Sequence, residues 1–458
     1  MSTTRPESLL AAGIVTTDRS ARAIAAAVGR AIRSGTLAPG VRLPPVRSIA
    51  RDLGVSPTTV SEAWRELGRV GAIETRGRNG TFVRAPDPVL GPRRYRRVTG
   101  ERGAFGLDLS TGTPDPALLP DLAPALGRAA ARGELTASYA DDPVLAELGE
   151  IVRERWPFAP GALTVVDGAM DALDRVLRET VRLGDRVVVE DPTFPPLLDL
   201  LDVLGAEAIP VALDPRGVVP SALRGALADA RPRAMVLQPR AQNPTGASLD
   251  RDRVDELAAV LRDHDDVLVI EDDHSGDIAS AAVVSVGLHL PDRTVTILGF
   301  SKSHGPDLRL AAIGGAAGPV EAVATRRQLG PGWSSRLLQA TLADLLADPV
   351  AIACVARARA IYADRRHRVA AALADRGVAL PEGDGFNLWI PVADEQHAQV
   401  ALAARGIGVA PGAPFRVSSE GGSGAVRVTV ARIEGGEAAD LGAALAAAAA
   451  PPASIRRA

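Results

Sequence analysis

The sequence predicts a multidomain chain in which a small winged helix-turn-helix head precedes a large α/β body. Three observations lead there. Residues 1–105 carry 18 Arg against 8 Asp plus Glu, and the remainder carries 34 basic residues against 47 acidic ones, so the net charge of −3 conceals a basic head on an acidic body. In the head, apolar residues recur at helical spacing and are punctuated by turn residues. In the body, short unbroken runs of Val, Ile and Leu alternate with helical stretches, the pattern of a parallel sheet with crossover helices.

Ile24, Val28 and Ile32 fall on one face of a helix ending near Gly35. From Leu43 to Val83 the order is helix, Gly54 turn, helix capped at Ser56, and a hairpin around Asn79-Gly80. The helix that begins at Pro57 buries Val60, Trp64 and Leu67, which leaves Thr58, Thr59, Ser61 and Arg65 for a DNA groove or its phosphates. Ser56 at the helix start and Arg78, Asn79 and Gly80 at the wing complete the DNA-facing set. This domain takes residues 1–84, and residues 85–106, rich in Pro, Gly and Arg, are expected to be a linker.

A chain of 458 residues has room for two or three domains, and 46% apolar with 23% charged residues is the balance of a globular protein. The longest apolar tail, Leu441 to Ala450, reads as a terminal helix and is too short to cross a bilayer. Leu9 to Val15 is brief and carries no export pattern. The single cysteine, Cys354, has no partner for an internal disulfide. A cytoplasmic protein is expected, nucleoid-associated when bound to DNA, with no membrane and no metal site.

Buried strands are expected at RVVVED (186–191), AMVLQP (234–239), VLVIED (267–272) and TVTILGF (294–300). Motif-like polar residues follow these runs, at the carboxyl ends of strands, where open α/β sheets bind ligands. Lys302 is the most telling of them. The chain uses Arg 51 times and Lys once, so arginine serves wherever positive charge alone is needed. Guanidinium stays protonated, whereas a buried ammonium can lose its proton and attack a carbonyl. The lone lysine sits in GFSKSHGPDLRL, directly after an expected strand.

The stretch from Leu43 to Val83 resembles the GntR-type winged-helix domain. The resemblance puts Arg47 on the family's first DNA-contacting arginine, with Pro57 where a second is usual and Ser61 where some members are basic. Residues from about 108 to 433 resemble class I/II aminotransferases of fold type I. That fold implies an aminotransferase-like domain over 107–450, with a large part over about 107–335 and a small C-terminal α+β subdomain over about 336–450.

The resemblance further implies pyridoxal 5'-phosphate (PLP), held by Lys302 as a Schiff base, with Ser301 beside it and Arg309 on its phosphate. In QNPTG (242–246) Asn243 would meet the phenolic oxygen, and Asp272 of EDD would keep the ring nitrogen protonated. Gly168, Ala169 and Met170 of DGAMDAL would offer N–H groups to the phosphate. Phe194 of DPTFP would stack on the ring, and Tyr139 would reach the phosphate from a partner subunit. Arg427 would hold an effector carboxylate, with Asn387 nearby where His is frequent. Asp171 stands where Gln is usual, His274 where Tyr is, and Gly299 where a hydroxyl residue is. An imidazole at His274 titrating near neutrality would make cofactor binding pH-sensitive.

A GntR-type head joined to an aminotransferase-like body is similar to the MocR family of transcriptional regulators. Membership implies a head-to-tail homodimer on promoter DNA, sensing PLP or its adduct with an amino compound, with little or no turnover. A competent aminotransferase carrying a DNA-binding head, and a cofactor-free scaffold, are the other readings.

Overall fold

The computed structural model describes residues 19–33, 36–69, 72–77, 80–84, 93–98, 105–132, 141–417, 424–434 and 436–451. The chain divides into two compact units, one built on the head and one on the body.

The head comprises α1 (Ala21–Arg33), α2 (Val46–Leu53), α3 (Pro57–Arg69), β1 (Ile73–Thr75) and β2 (Thr81–Val83). Ile24, Val28, Ile49, Val60, Trp64 and Leu67 share one apolar core with Ile73 and Val83. Gly54 ends α2 at φ 64°, a left-handed C-cap that a side chain would strain. Ser56 Oγ accepts from the Thr59 N–H at 3.1 Å, capping α3 as its position requires. The wing is antiparallel, with Glu74 opposite Phe82. Arg78 and Asn79 lie outside the described residues.

Within the stretch expected to be linker, residues 93–98 form α4 (Arg93–Val98). The six residues RRYRRV contain neither Pro nor Gly, so nothing local breaks the helix. Val98 is buried on Ala410, Phe415 and Trp389, which gives α4 a fixed seat on the body.

The body then runs β3 (Leu107–Asp108), α5 (Leu122–Ala131), α6 (Ala146–Glu154), β4 (Ala162–Val166), α7 (Ala169–Thr180), β5 (Arg186–Asp191), α8 (Pro195–Leu204), β6 (Glu207–Asp214) and β7 (Gly217–Val218). It continues with α9 (Pro220–Ala230), β8 (Ala234–Leu237), α10 (Arg251–Leu261), β9 (Leu268–Asp273), β10 (Thr294–Gly299), β11 (Ala311–Gly315), α11 (Ala317–Arg327), α12 (Arg336–Ala347) and α13 (Pro349–Ala374). Strands β4 to β11 form a sheet in the order β4-β11-β10-β9-β8-β5-β6-β7. β5, β8, β9 and β10 are parallel neighbours, as their apolar runs predict.

The sheet is nevertheless mixed, because β11 is antiparallel to both β10 and β4. Connection length explains the departure. Only residues 300–310 join β10 to β11, fewer than the dozen or more that a parallel crossover needs. This short return holds Lys302.

The C-terminal part adds β12 (Asn387–Pro391), α14 (Glu395–Ala403), β13 (Ile407–Gly408), β14 (Ala410–Pro411), β15 (Ala425–Thr429) and α15 (Ala438–Ala449). Its antiparallel sheet has the order β12-β15-β14 and packs on α13 and α14. β3 pairs with β13, so the body's first strand belongs with its C-terminal part rather than with the large part in which its sequence position puts it. No single described helix is long and apolar enough to cross a membrane.

Because one side-chain oxygen caps α3, Ser56→Ala is expected to destabilise the head by about 1 kcal/mol and Ser56→Asp to keep that stability, measured by chemical unfolding.

Candidate functional site

The parallel pairing of β9 and β10 sets Ile297 beside Asp272. Asp272 and the loop after Gly299 therefore leave the sheet on the same edge, and the turn from β4 into α7 opens there too. Asp272 is 2% exposed. Its Oδ2 accepts from Gln238 Nε2 at 2.9 Å, and its Oδ1 is buried without a partner. Burial pushes the carboxyl up to about 6, opposed by the Gln238 bond, reinforced by Asp273 and opposed again by Lys302. The group stays ionised at neutral pH with one empty acceptor, which is what a protonated ring nitrogen requires.

Half-buried Lys302 donates from Nζ to Gly112 O at 2.5 Å and lies 5.6 Å from the centre of the Phe386 ring. Burial brings its ammonium down to about 8, Arg427 adds to the shift and Asp272 opposes it. An appreciable neutral fraction is then present near pH 7, as a carbonyl-attacking amine needs. At the other end of the site, Gly168 turns at φ 103°, and a Cβ there would stand 3.0 Å from Arg309 Nη2. Arg309 also donates to Asp167 O at 3.2 Å. The open N–H groups at the start of α7, around Ala169 and Met170, thus lie beside a guanidinium, the makings of a phosphate cradle.

Arg427, 2% exposed on β15, donates to Ser110 O and, at 3.3 Å, to Asn243 Oδ1. Its guanidinium lies 5.2 Å from the centre of the Phe415 ring, and its Nε is buried without a partner. Burial lowers it to about 10, so it remains charged at neutral pH. Asn387 lies on the same face of that sheet, two residues along from the position opposite it. The register sets Asn387 opposite Thr429, whose hydroxyl donates to Asn387 Oδ1 at 2.9 Å, while Arg427 faces Trp389.

His274 departs from its expected role as a switch near neutrality. Burial, with Lys302 next, pushes the imidazole down to about 3, so it is neutral throughout the physiological range. Its Nε2 lies 3.2 Å from Ser275 Oγ and its Nδ1 has no partner. At Gly299 a Cβ would stand 3.4 Å from His274 Cα, an ordinary contact, so the backbone itself does not exclude a side chain there. Phe194 is half-buried just before α8, and Ser301 is half-buried beside Lys302. Tyr139 lies outside the described residues.

On the head, Arg47, Ser56, Thr58, Ser61 and Arg65 are exposed, whereas Thr59 is half-buried with its hydroxyl 2.8 Å from Ser56 Oγ. Two arginines that sequence reading did not single out lie at the wing, of which Arg76 is paired with Glu74. Arg42 packs its guanidinium against Gly80, and Arg76 lies 4.9 Å from the centre of the Phe82 ring. Gln238 was missed as well, although a polar residue closing the run AMVLQP was a visible signal. It bridges two site residues, donating to Asp272 and accepting from the Asn243 N–H at 2.8 Å. Ser110 and Gly112 act through backbone carbonyls, which no side-chain pattern reveals.

Residues 106–445 match the family of aminotransferase class I and II, and residues 20–83 match bacterial regulatory proteins of the gntR family. The chain is 35% identical over 427 residues to the vitamin B6 salvage pathway transcriptional repressor PtsJ of Salmonella typhimurium, covering 92% of this chain and 96% of that one. It is 27% identical over 415 residues to the probable rhizopine catabolism regulatory protein MocR of Rhizobium meliloti, covering 82% and 79%. The chain belongs to the MocR family. A MocR-family protein is a DNA-binding transcriptional regulator with an aminotransferase-like body, and the cofactor of that body is pyridoxal phosphate. Among solved structures, an archaeal alanine:glyoxylate aminotransferase matches with a TM-score of 0.70 at 20% identity, covering 78% of this chain and 97% of that one, which shows the fold.

Because Lys302 is the sole lysine, its titration is open to measurement in the cofactor-free protein. The rate of its modification by a small neutral amine reagent should rise with a midpoint near pH 8. Arg427→Gln removes a like charge and should move that midpoint upward.

Proposed function

We propose that this MocR-family regulator is a sensor of pyridoxal phosphate, in which occupancy of the body, rather than turnover, controls how the head binds double-stranded promoter DNA. The observation that carries the reading is a buried carboxylate with an empty oxygen beside the sole lysine, in a chain that opens with a winged helix. Arg309, Gly168, Ala169 and Met170 would hold the phosphate, Asn243 the phenolic oxygen and Asp272 the ring nitrogen, with Lys302 as the point of attachment and Phe194 against the ring. Bound there, the cofactor supplies an electrophilic carbon and an electron-withdrawing ring. The chain's own residues orient it: Gln238 fixes Asp272, and Asn243 is fixed in turn by Gln238 and Arg427. PtsJ, named for vitamin B6 salvage, supports PLP itself as the signal.

A second reading is favoured by one observation, the buried and unpartnered Nε of Arg427. It suits an amino compound bearing a carboxylate, which would present the cofactor–amine adduct as the signal. We place the protein in the cytoplasm with its DNA, as a head-to-tail homodimer. Supporting a homodimer, the implied role of Tyr139 needs a partner subunit, and Leu329 and Val350 are large aliphatic side chains left 82% and 77% exposed.

The decisive measurement is promoter affinity of the full chain with and without PLP. Wild type should change several-fold and Lys302→Arg, which keeps the charge but cannot attach the cofactor, should not change. Sustained keto-acid production from amino acids at enzymatic rates would favour the enzyme reading instead, and unaltered promoter binding by a protein that takes up no PLP would favour the scaffold.

A further inference from the structure

Asp171 sets an acid in the first turn of the helix whose start would meet a phosphate. The structure shows where that charge goes. Asp171 Oδ2 accepts from the Asp167 N–H at 3.1 Å, from Arg175 Nε at 2.8 Å and from Arg327 Nη1 at 3.4 Å. Arg327, 1% exposed at the end of α11, donates from Nη2 to Asp167 Oδ2 at 3.3 Å and to Ser334 Oγ at 3.1 Å. Asp167 is consequently held at its N–H by Asp171, at its carboxylate by Arg327 and at its carbonyl by Arg309, 3.2 Å away. It is the residue immediately before Gly168, where the chain bends into the cradle.

We propose that Asp171 and Arg327 are positioning residues that set this cradle, and that they thereby let the regulator distinguish phosphorylated from unphosphorylated forms of pyridoxal. The inference rests on the reading of the site as a PLP sensor. A buried guanidinium needs counter-charge, and Asp167 and Asp171 provide it. In return their carboxylates are paired with guanidinium groups. Arg175, Arg309 and Arg327 against Asp167 and Asp171 leave one positive charge in excess, which complements the dianion that the helix start also favours. Pyridoxal has the same ring and aldehyde without the phosphate, so it depends on Lys302 and Asp272 but not on the cradle.

Equilibrium binding of PLP and of pyridoxal to the full-length protein, read from the absorbance of the Lys302-linked ligand, tests this. Asp171→Asn should weaken PLP about tenfold, the scale of one charge-assisted hydrogen bond. It should leave pyridoxal within about twofold, and Asp171→Glu should recover part of the loss. Combined with Arg327→Gln, the loss should be smaller than the product of the single losses, because the two groups neutralise each other. If Arg327→Gln does not fold, the Asp171 variants decide alone. Equal weakening of PLP and pyridoxal would assign Asp171 to general stability and overturn the proposal, as would unchanged PLP affinity. A wild-type protein that attaches pyridoxal but not PLP more tightly overturns it too, and one that attaches neither overturns the sensor reading beneath it.

Discussion

Everything in the body is arranged around a carboxylate and an amine that the parallel pairing of β9 with β10 brings to one sheet edge. A buried ionised group without full compensation is costly, and each unsatisfied buried polar atom costs on the order of 1–3 kcal/mol. Asp272 Oδ1, His274 Nδ1 and Arg427 Nε are all buried without a partner in the described structure. Three of the seven such atoms among the described residues gather at this one site. Their chemistry describes a guest: an acceptor for a protonated ring nitrogen, a neutral imidazole and a free guanidinium edge, around an amine lowered to about 8.

What was legible in the sequence was what lies contiguous in it. The SK…LR run, NPTG, EDD and the glycine turn before α7 are each contiguous, so their resemblance to the motifs of a known family could be read directly from the chain. The head was legible for the same reason, since local helical period and a cap at Ser56 decide its elements. Groups that meet only through the fold were not. Gln238 holds Asp272 from another strand, and Ser110 and Gly112 reach Arg427 and Lys302 from the start of the body through carbonyl oxygens. The mixed sheet was missed because apolar runs report burial and not strand direction. His274 was misjudged because its titration depends on burial and on Lys302, neither of which a neighbouring residue in the chain announces.

Asp171 shows the same limit from the other side. In sequence it is a departure that sets an acid near a phosphate, and repulsion is the natural inference. In space it is one pole of an ion network whose other pole, Arg327, lies at the end of a helix more than a hundred residues on. The sign of a charge was readable and its direction was not.

The remaining question is physical: how an event at the sheet edge can be felt by the stretch of chain that leads to the head. One segment of the body links Arg427 to α4. Phe415 lies beneath the Arg427 guanidinium, its carbonyl accepts from the Thr193 N–H at 2.8 Å next to Phe194, and its ring lies 5.6 Å from that of Trp389. Val98 of α4 is buried in the same cluster. Tyr95, one turn earlier, is close enough to act electrostatically on Arg427. A ligand shifts a conformational equilibrium only by binding one state better than another. The cluster of Val98, Ala410, Trp389 and Phe415 joins α4 to the aromatic surface against which the Arg427 guanidinium packs. Close-packed interiors have few intermediate arrangements. The seat of α4 is therefore part of the same packed surface that carries the Arg427 guanidinium.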